Sequence, residues 1–302
     1  MFAVLSAAER GGMQEVILHH TDELEDGPEL RALRQASGVT LSRTDPRACL
    51  APAEAALGLG EGLISLYSRL TSPVMRSDVL RAAILYIQGG VYLDLDTITV
   101  APLPPLLETR QFVGSEYIVW PHWVRTSRSP LVWARHLTLD VMRKAMRRLP
   151  RGWKLFRRVQ GLYFRGINNA VMGGEAGAPL FADYLRAMVA LPSARLAEPY
   201  ALGPDLLQTI VDRCPPGTLT VLPPAVFYPL APEISEHWFR PCLGPRLDEV
   251  LSAETRVVHW YASVRTKSRV AGIDPDYVRA NRENQLYSAL VYASISRLPA
   301  AS

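Results

Sequence analysis

Only three cysteines occur in 302 residues, Cys49, Cys214 and Cys242. An odd number at wide spacing fits neither a zinc knuckle nor a disulfide framework. Reduced thiols are expected, with a Cys214–Cys242 bridge open only to a chain in an oxidising compartment. No run of 18 or more uncharged apolar residues is present, which excludes a helix that spans a bilayer. The opening MFAVLSAAERGG meets Glu9 and Arg10 before any signal-type apolar run develops and carries no basic leader. The expected location is therefore cytoplasmic, with peripheral membrane association left open. Also missing are a P-loop, a dinucleotide glycine fingerprint, a Gly-x-Ser-x-Gly elbow and a His-Glu-x-x-His pair. Gly58-Leu59-Gly60-Glu61-Gly62 lacks the Lys and the glycine spacing of a phosphate loop and reads as a plain loop. At 48% apolar and 21% charged residues, low complexity and disorder are excluded, and the chain is long enough for one large or two ordinary globular domains.

Acidic residues are absent from one stretch in particular. Residues 141–165 hold nine Lys or Arg and no Asp or Glu, and the rest of the chain carries 24 basic against 29 acidic residues. The net charge of +4 is thus local, which argues against a nucleic-acid protein with charge spread over a whole face. Trp153, Leu155, Phe156, Leu162, Tyr163 and Phe164 lie among these cations. Two readings compete, an ordinary solvated helix plus loop and a segment that docks on an anionic membrane. In the second, each cation contributes on the order of 1 kcal/mol and aromatics insert at headgroup level.

No internal repeat or long linker appears. Val16–His19 and Val39–Ser42 read as short strands after an opening helix, and helices are expected over 62–71, 73–88, 179–191, 204–213 and 275–298. Four of these open with Pro at the first helical position. Strands alternating with helices over the first hundred residues indicate an α/β sheet.

The densest information lies in SPVMRSDVLRAAILYIQGGVYLDLDTITV, residues 72–100. Ser72 can cap a helix that starts at Pro73, presents Met75, Val79, Ala83 and Ile87 as an apolar stripe, and stops at Gly89-Gly90. A strand over Val91–Asp96 would put Val91, Leu93 and Leu95 on one side and Tyr92, Asp94 and Asp96 on the other, with both carboxylates at its C-terminal end. In open α/β sheets ligands bind at that edge. Two acids about 7 Å apart by strand spacing repel unless a cation or a shared proton intervenes, and a hard divalent metal with phosphate oxygens meets that need. Asp-x-Asp alone is weak evidence. A second copy, Asp274-Pro275-Asp276, reads more simply as a helix cap followed by Pro at the first helical position.

Residues 77–96, with Ser-Asp-x-x-Arg, a helix and then Gly-Gly-x-Tyr-x-Asp-x-Asp, resemble the DXD-containing sugar transferases of glycosyltransferase family 32. Relatives there are the outer-chain mannosyltransferase of yeast, bacterial polysaccharide enzymes and glucosylating toxins. Weaker points follow in order: Asn168-Asn169 with Gly173-Gly174, Gly203-Pro204, Phe227-Tyr228-Pro229, and His259-Trp260 with Ser263. The resemblance implies an α/β fold of the GT-A nucleotide-sugar type, a single mixed sheet flanked by helices. One domain over 1–302 is expected, with residues 1–110 as the nucleotide-sugar half and 111–302 as the acceptor half. It further implies Mn²⁺ or Mg²⁺ at Asp96, with Asp94 sharing the metal or holding ribose and His259 completing the metal or pyrophosphate site. Asp78 and Arg81 would grip donor-sugar hydroxyls, Tyr92 and Ser263 would be donor-site residues with Lys267 behind them, and Asn169 would contact the reacting carbon. The partners implied are a nucleotide-diphosphate sugar and a glycan or lipid-linked acceptor, with anomeric configuration retained. Family members open with a strand of Ile-Pro-x-x-x-His-x-x-Trp type; this chain opens in a helix, so the expected fold lacks the usual first strand.

Two other readings remain. Tyr92–Thr97 approaches the Asp-x-Asp-x-Thr strand end of haloacid-dehalogenase phosphatases, but Ile98 replaces the Thr and no downstream Gly-Asp-x-x-x-Asp follows. A non-catalytic relative of the transferases would share the fold without turnover.

Overall fold

Proline begins most of the longer helices, where its missing N–H costs no hydrogen bond and its fixed φ is already helical. The computed structural model describes residues 1–242, 244–262, 270 and 272–299; Ser263 and Lys267 lie outside the described residues. The first half runs α1 (Phe2–Arg10), β1 (Val16–His20), α2 (Pro28–Gln35), β2 (Val39–Arg43), α3 (Pro46–Leu57), α4 (Gly62–Arg69), α5 (Pro73–Gln88), β3 (Gly90–Leu93), β4 (Thr97–Thr99) and β5 (Gln111–Ile118). The second half continues with α6 (Pro130–Arg148), α7 (Gly152–Val159), β6 (Phe164–Gly174), α8 (Pro179–Ala190), α9 (Pro204–Val211), β7 (Thr220–Leu222), β8 (Val257–His259), α10 (Pro275–Asn281) and α11 (Leu286–Ser294). The expected helix over 275–298 is two helices, because α10 ends at Asn281 and the chain turns before Gln285 starts α11. Sequence reading missed α3 and α6.

The fold is α/β, but among the described residues the strands form three sheets and not the single sheet expected. A four-stranded sheet in the order β3-β6-β5-β7 has β6 antiparallel to both neighbours and β7 parallel to β5. β1 and β2 pair only with each other among the described strands, in parallel, and β4 pairs antiparallel with β8. Helix α1 is the physical reason for the division. Six consecutive residues of it, Phe2–Ala7, are buried. It packs on β4 and also against β1 and β2, and Ser6 Oγ accepts from the Thr99 N–H at 3.1 Å. Hydrophobic clusters draw on both ends of the chain: Phe2 and Leu5 pack with Trp238, Trp260 and Tyr287, while Leu63, Val79 and Ala83 pack with Met172, Phe181 and Tyr184.

α5 spans Pro73–Gln88 as the sequence indicates, although the Ser72 side chain makes no cap hydrogen bond. Gly89 and Gly90 stop it with φ of 70° and 98°, conformations open to glycine. A Cβ on Gly89 would stand 2.7 Å from the Ala176 nitrogen.

The basic segment is not the surface its composition suggests. Trp153, Phe156 and Tyr163 are core residues, leaving Leu155 and Leu162 exposed. Acids outside the segment meet the cations: Arg143 pairs with neighbouring Asp140 and distant Glu233, Arg147 with Glu236 and Lys154 with Glu249. Arg157 donates to the carbonyls of Pro229, Glu249 and Val250. The three cysteines are free thiols.

Glu54 near the end of α3 is buried and accepts from the Leu63 and Ile64 N–H groups at 2.8 and 2.9 Å, so one carboxylate caps the start of α4. Charge-assisted bonds of this kind are among the stronger ones. Glu54→Ala leaves two buried donors unmet and is expected to cost about 2–4 kcal/mol in urea unfolding, with Glu54→Gln recovering part of the loss.

Candidate active site

β3 ends at Leu93, before either aspartate. Asp94 N–H still donates to Ala170 O at 2.9 Å, but the chain then turns, and Thr97 Oγ1 donates to Asp94 O at 2.7 Å. Leu95, expected beside Val91 and Leu93, is instead 67% exposed. This turn brings the carboxylates closer than strand spacing would. One ligand atom from each of Asp94, Asp96 and His259 lies within 4.8 Å of the others. His259 arrives because β8 runs beside β4 with Thr97 opposite His259.

Each aspartate has its own countercharge. Arg81, on α5 and almost fully buried, reaches Asp94 Oδ1 at 3.1 Å and Asp78 Oδ1 at 3.4 Å, and donates to Asn169 O at 3.0 Å. Its guanidinium stands 4.3 Å over the Tyr92 ring, whose hydroxyl donates to Asp94 Oδ1 at 2.6 Å. Asp78 and Arg81 are both buried, so theirs is not a surface ion pair. Asp96 takes the other partner: His259 Nε2 is 2.9 Å from its Oδ1, and the Ala262 N–H donates to its Oδ2 at 2.8 Å. Burial would raise Asp96, yet the His259 charge and the hydrogen bonds from His259 and Ala262 hold it below the usual carboxylate range. Burial would likewise lower His259, and the Asp96 carboxylate, helped by Asp94 and Glu116, raises it instead.

Asn169 is placed beside Asp78 and Arg81: its Nδ2 donates to Asp78 Oδ1 at 2.8 Å. Gly203 closes over both, since a Cβ there would stand 3.3 Å from Asp78 Oδ2 and 3.4 Å from Asn169 Nδ2. Behind these lies a second layer, of which the sequence motifs held Asn168 and Tyr228 but not Glu116 and Tyr261. Glu116 on β5 is buried and accepts from the Tyr261 hydroxyl at 2.6 Å. Tyr228 donates to Asn168 Oδ1 at 3.3 Å and meets the His259 ring edge-on at 5.8 Å. An acid flanked by Phe112, Val113, Tyr117 and Ile118 in the strand QFVGSEYI is the signal that could have exposed Glu116.

Two carboxylates and an imidazole suit a hard divalent ion such as Mn²⁺ or Mg²⁺. The His259 ring also has a buried Nδ1 without a hydrogen-bond partner among the described residues, so it keeps an unused ligand atom.

Residues 57–113 match the family described as glycosyltransferase sugar-binding region containing DXD motif. This stretch is similar to the DXD-containing sugar-binding region of glycosyltransferases. It spans α4, α5, β3, β4 and the start of β5, and so contains Asp78, Arg81, Tyr92, Asp94 and Asp96, while Asn169 and His259 join from outside it. No curated protein matches the chain. The region gives the chain glycosyltransferase character in general, on an α/β framework consistent with the GT-A type.

Asp78 shares Arg81 with the closer Asp94. Burial pushes it up to about 6 from 3.8, Arg81 opposes the rise, Asp94 adds to it and the Asn169 hydrogen bond opposes it. A carboxyl raised on folding binds its proton more tightly in the folded chain, so it favours folding below about pH 4 and loses that contribution as pH rises through about 6. The stability of the wild type relative to Asp78→Asn is therefore expected to fall by roughly 2–3 kcal/mol between pH 4 and 7 and to level off above. Urea unfolding across that range measures it.

Proposed function

We propose that this protein is a metal-dependent hexosyltransferase that moves a sugar from a nucleotide-diphosphate donor to a glycan or glycolipid acceptor. The observation that carries the reading is the convergence of Asp94, Asp96 and His259 beside a matched DXD region. A bound Mn²⁺ or Mg²⁺ would neutralise the donor diphosphate and the charge that develops on it as the glycosidic bond breaks. Asp94, Asp96 and His259 would hold that ion. Arg81 and Tyr92 hold Asp94 in place through the contacts at 3.1 and 2.6 Å. Asp78, held by Asn169, and Arg81 face the donor sugar in this reading, and the Asn169 amide lies toward the reacting carbon. Residues 1–110 form the donor side and 111–302 the acceptor side of one domain. Retention of anomeric configuration follows the enzymes that the motif resembles, and Ser263 and Tyr92 complete the donor contacts.

Membrane contact through 141–165 belongs to the same reading. What supports it there is limited to Arg148, Arg151 and Arg158, which have no ion pair among the described residues, and to exposed Leu155 and Leu162.

Asp94→Asn and Asp96→Asn each remove a charge from the ion site with little change in volume, so Mn²⁺-dependent hydrolysis of nucleotide sugars is expected to fall by roughly a hundredfold or more with the fold intact. Asp274 caps α10 by accepting from the Tyr277 N–H at 2.7 Å. Asn caps equally well, so Asp274→Asn should leave turnover unchanged. Full activity in Asp96→Asn would reject the transferase mechanism, and metal-dependent nucleotide-sugar binding without any turnover would identify a non-catalytic relative.

Donor recognition divides further by residue. Asp78→Ala is expected to abolish turnover and discrimination among nucleotide sugars while free nucleoside diphosphate still binds with metal in calorimetry, whereas Arg81→Ala, which also removes the partner of Asp94, should weaken both turnover and diphosphate binding. Equal loss of diphosphate affinity in Asp78→Ala would make Asp78 structural.

A further inference from the structure

α6 is a 19-residue helix whose inner face is buried through His136, Leu139, Asp140, Arg143 and Met146. At 100° per residue, its opposite face is centred on Val141 and carries Ala134, Leu137, Thr138 and Ala145, with Leu131 at its edge. That outward face is the anomaly. Leu131 is 81% exposed, Val141 65% and Leu137 52%, where a helix on a globular surface normally turns charged residues to water.

Trp133 on the same helix and Trp123 in the preceding turn, His122–Arg125, are also exposed. They are held in an aromatic group: Trp133 packs on Trp120 at 5.4 Å and Trp123 on His136 at 5.5 Å. Bordering the stripe, Arg128, Arg135 and Arg148 make no ion pair among the described residues. From 117 to 174 the chain carries twelve Lys or Arg and one acid, Asp140. That acid is buried and paired with Arg143 and Lys144.

We propose that this outward face of α6, with Trp123, docks the protein on an anionic lipid surface. Charge decides the occupant. A second copy set against the same face would bring like cations together, whereas anionic headgroups complement them and exposed Leu, Val and Trp side chains enter the interfacial layer. Orientation agrees with the candidate active site. β3 and β5 both run antiparallel to β6, hence in the same direction, so Asp94 and the segment leading to Trp123 both leave toward the same end of the sheet, β3 at the level of Val171 and β5 further along at Phe164. The inference moves the membrane contact from the segment 141–165 as a whole to the outward face of α6 with Trp123, and it rests on the proposed function only for the meaning of that orientation.

Flotation of the full chain with vesicles of phosphatidylcholine alone and of phosphatidylcholine with phosphatidylglycerol tests it without any enzymatic readout. Binding is expected to the anionic vesicles only and to be lost at high salt. Leu137→Glu/Val141→Glu should abolish it. Arg135→Gln/Arg148→Gln should weaken it roughly 25-fold, about fivefold per cation. Both variants change exposed positions, and unaltered urea unfolding would show that they fold. No flotation at low salt, or binding unaffected by Leu137→Glu/Val141→Glu, would overturn the proposal. So would a concentration-dependent dimer in light scattering that the same double variant dissolves, since the stripe would then be a contact between copies. Loss of nucleotide-sugar hydrolysis in Asp96→Asn, with flotation retained, keeps the two proposals separate.

Discussion

Two carboxylates in one half-buried turn need positive charge close to each, and the two countercharges here come from opposite ends of the chain. Arg81 serves Asp94 from α5, and His259 serves Asp96 from β8. Much of the architecture can be understood as the means of delivering them. Gly89-Gly90 turns the chain from α5 directly into β3, so Arg81 and Asp94 are joined by one short connection. β8 reaches β4 only after the chain has built the four-stranded sheet, and the pairing of three residues then fixes His259 opposite Thr97.

Arg81 carries more than one task. With its guanidinium buried, it is committed to Asp94, Asp78 and the Asn169 carbonyl at once. A buried charge with several satisfied partners is costly to disturb, since loss of one side leaves the other uncompensated. The cluster thus resists small rearrangements, as a preorganised charged site must if it is to stabilise charge that develops during a reaction.

What could be read from the sequence was local. α5, its glycine stop and the two aspartates followed from an apolar stripe, a helix terminator and a motif within thirty residues, and the cap role of Asp274 from its neighbouring Pro275. What could not be read was where distant pieces meet. The turn at Leu95 depends on β4 leaving for β8, and a period-two pattern running through Asp96 hid it. The cations of 141–165 looked unopposed because Glu233, Glu236 and Glu249, which pair with them, are some ninety residues away. The division of the sheet depends on where α1 packs, which its own sequence does not state. His259 was legible as a candidate only through the resemblance, whereas Glu116 and Tyr261 became visible only once β5 and the segment after β8 lay side by side.

Gly114 sits where β5 shifts register against β6, with the rings of Phe227 and Tyr228 against its missing side chain; a Cβ there would come within 2.6 Å of each. Tyr228 in turn rests edge-on against His259. The imidazole is therefore seated partly by an atom that is not there: one hydrogen in place of a methyl, in the middle of a strand, sets how deep the tyrosine lies and hence the floor on which His259 stands. Position 114 belongs to the site through volume alone, in the way a keystone's clearance belongs to an arch.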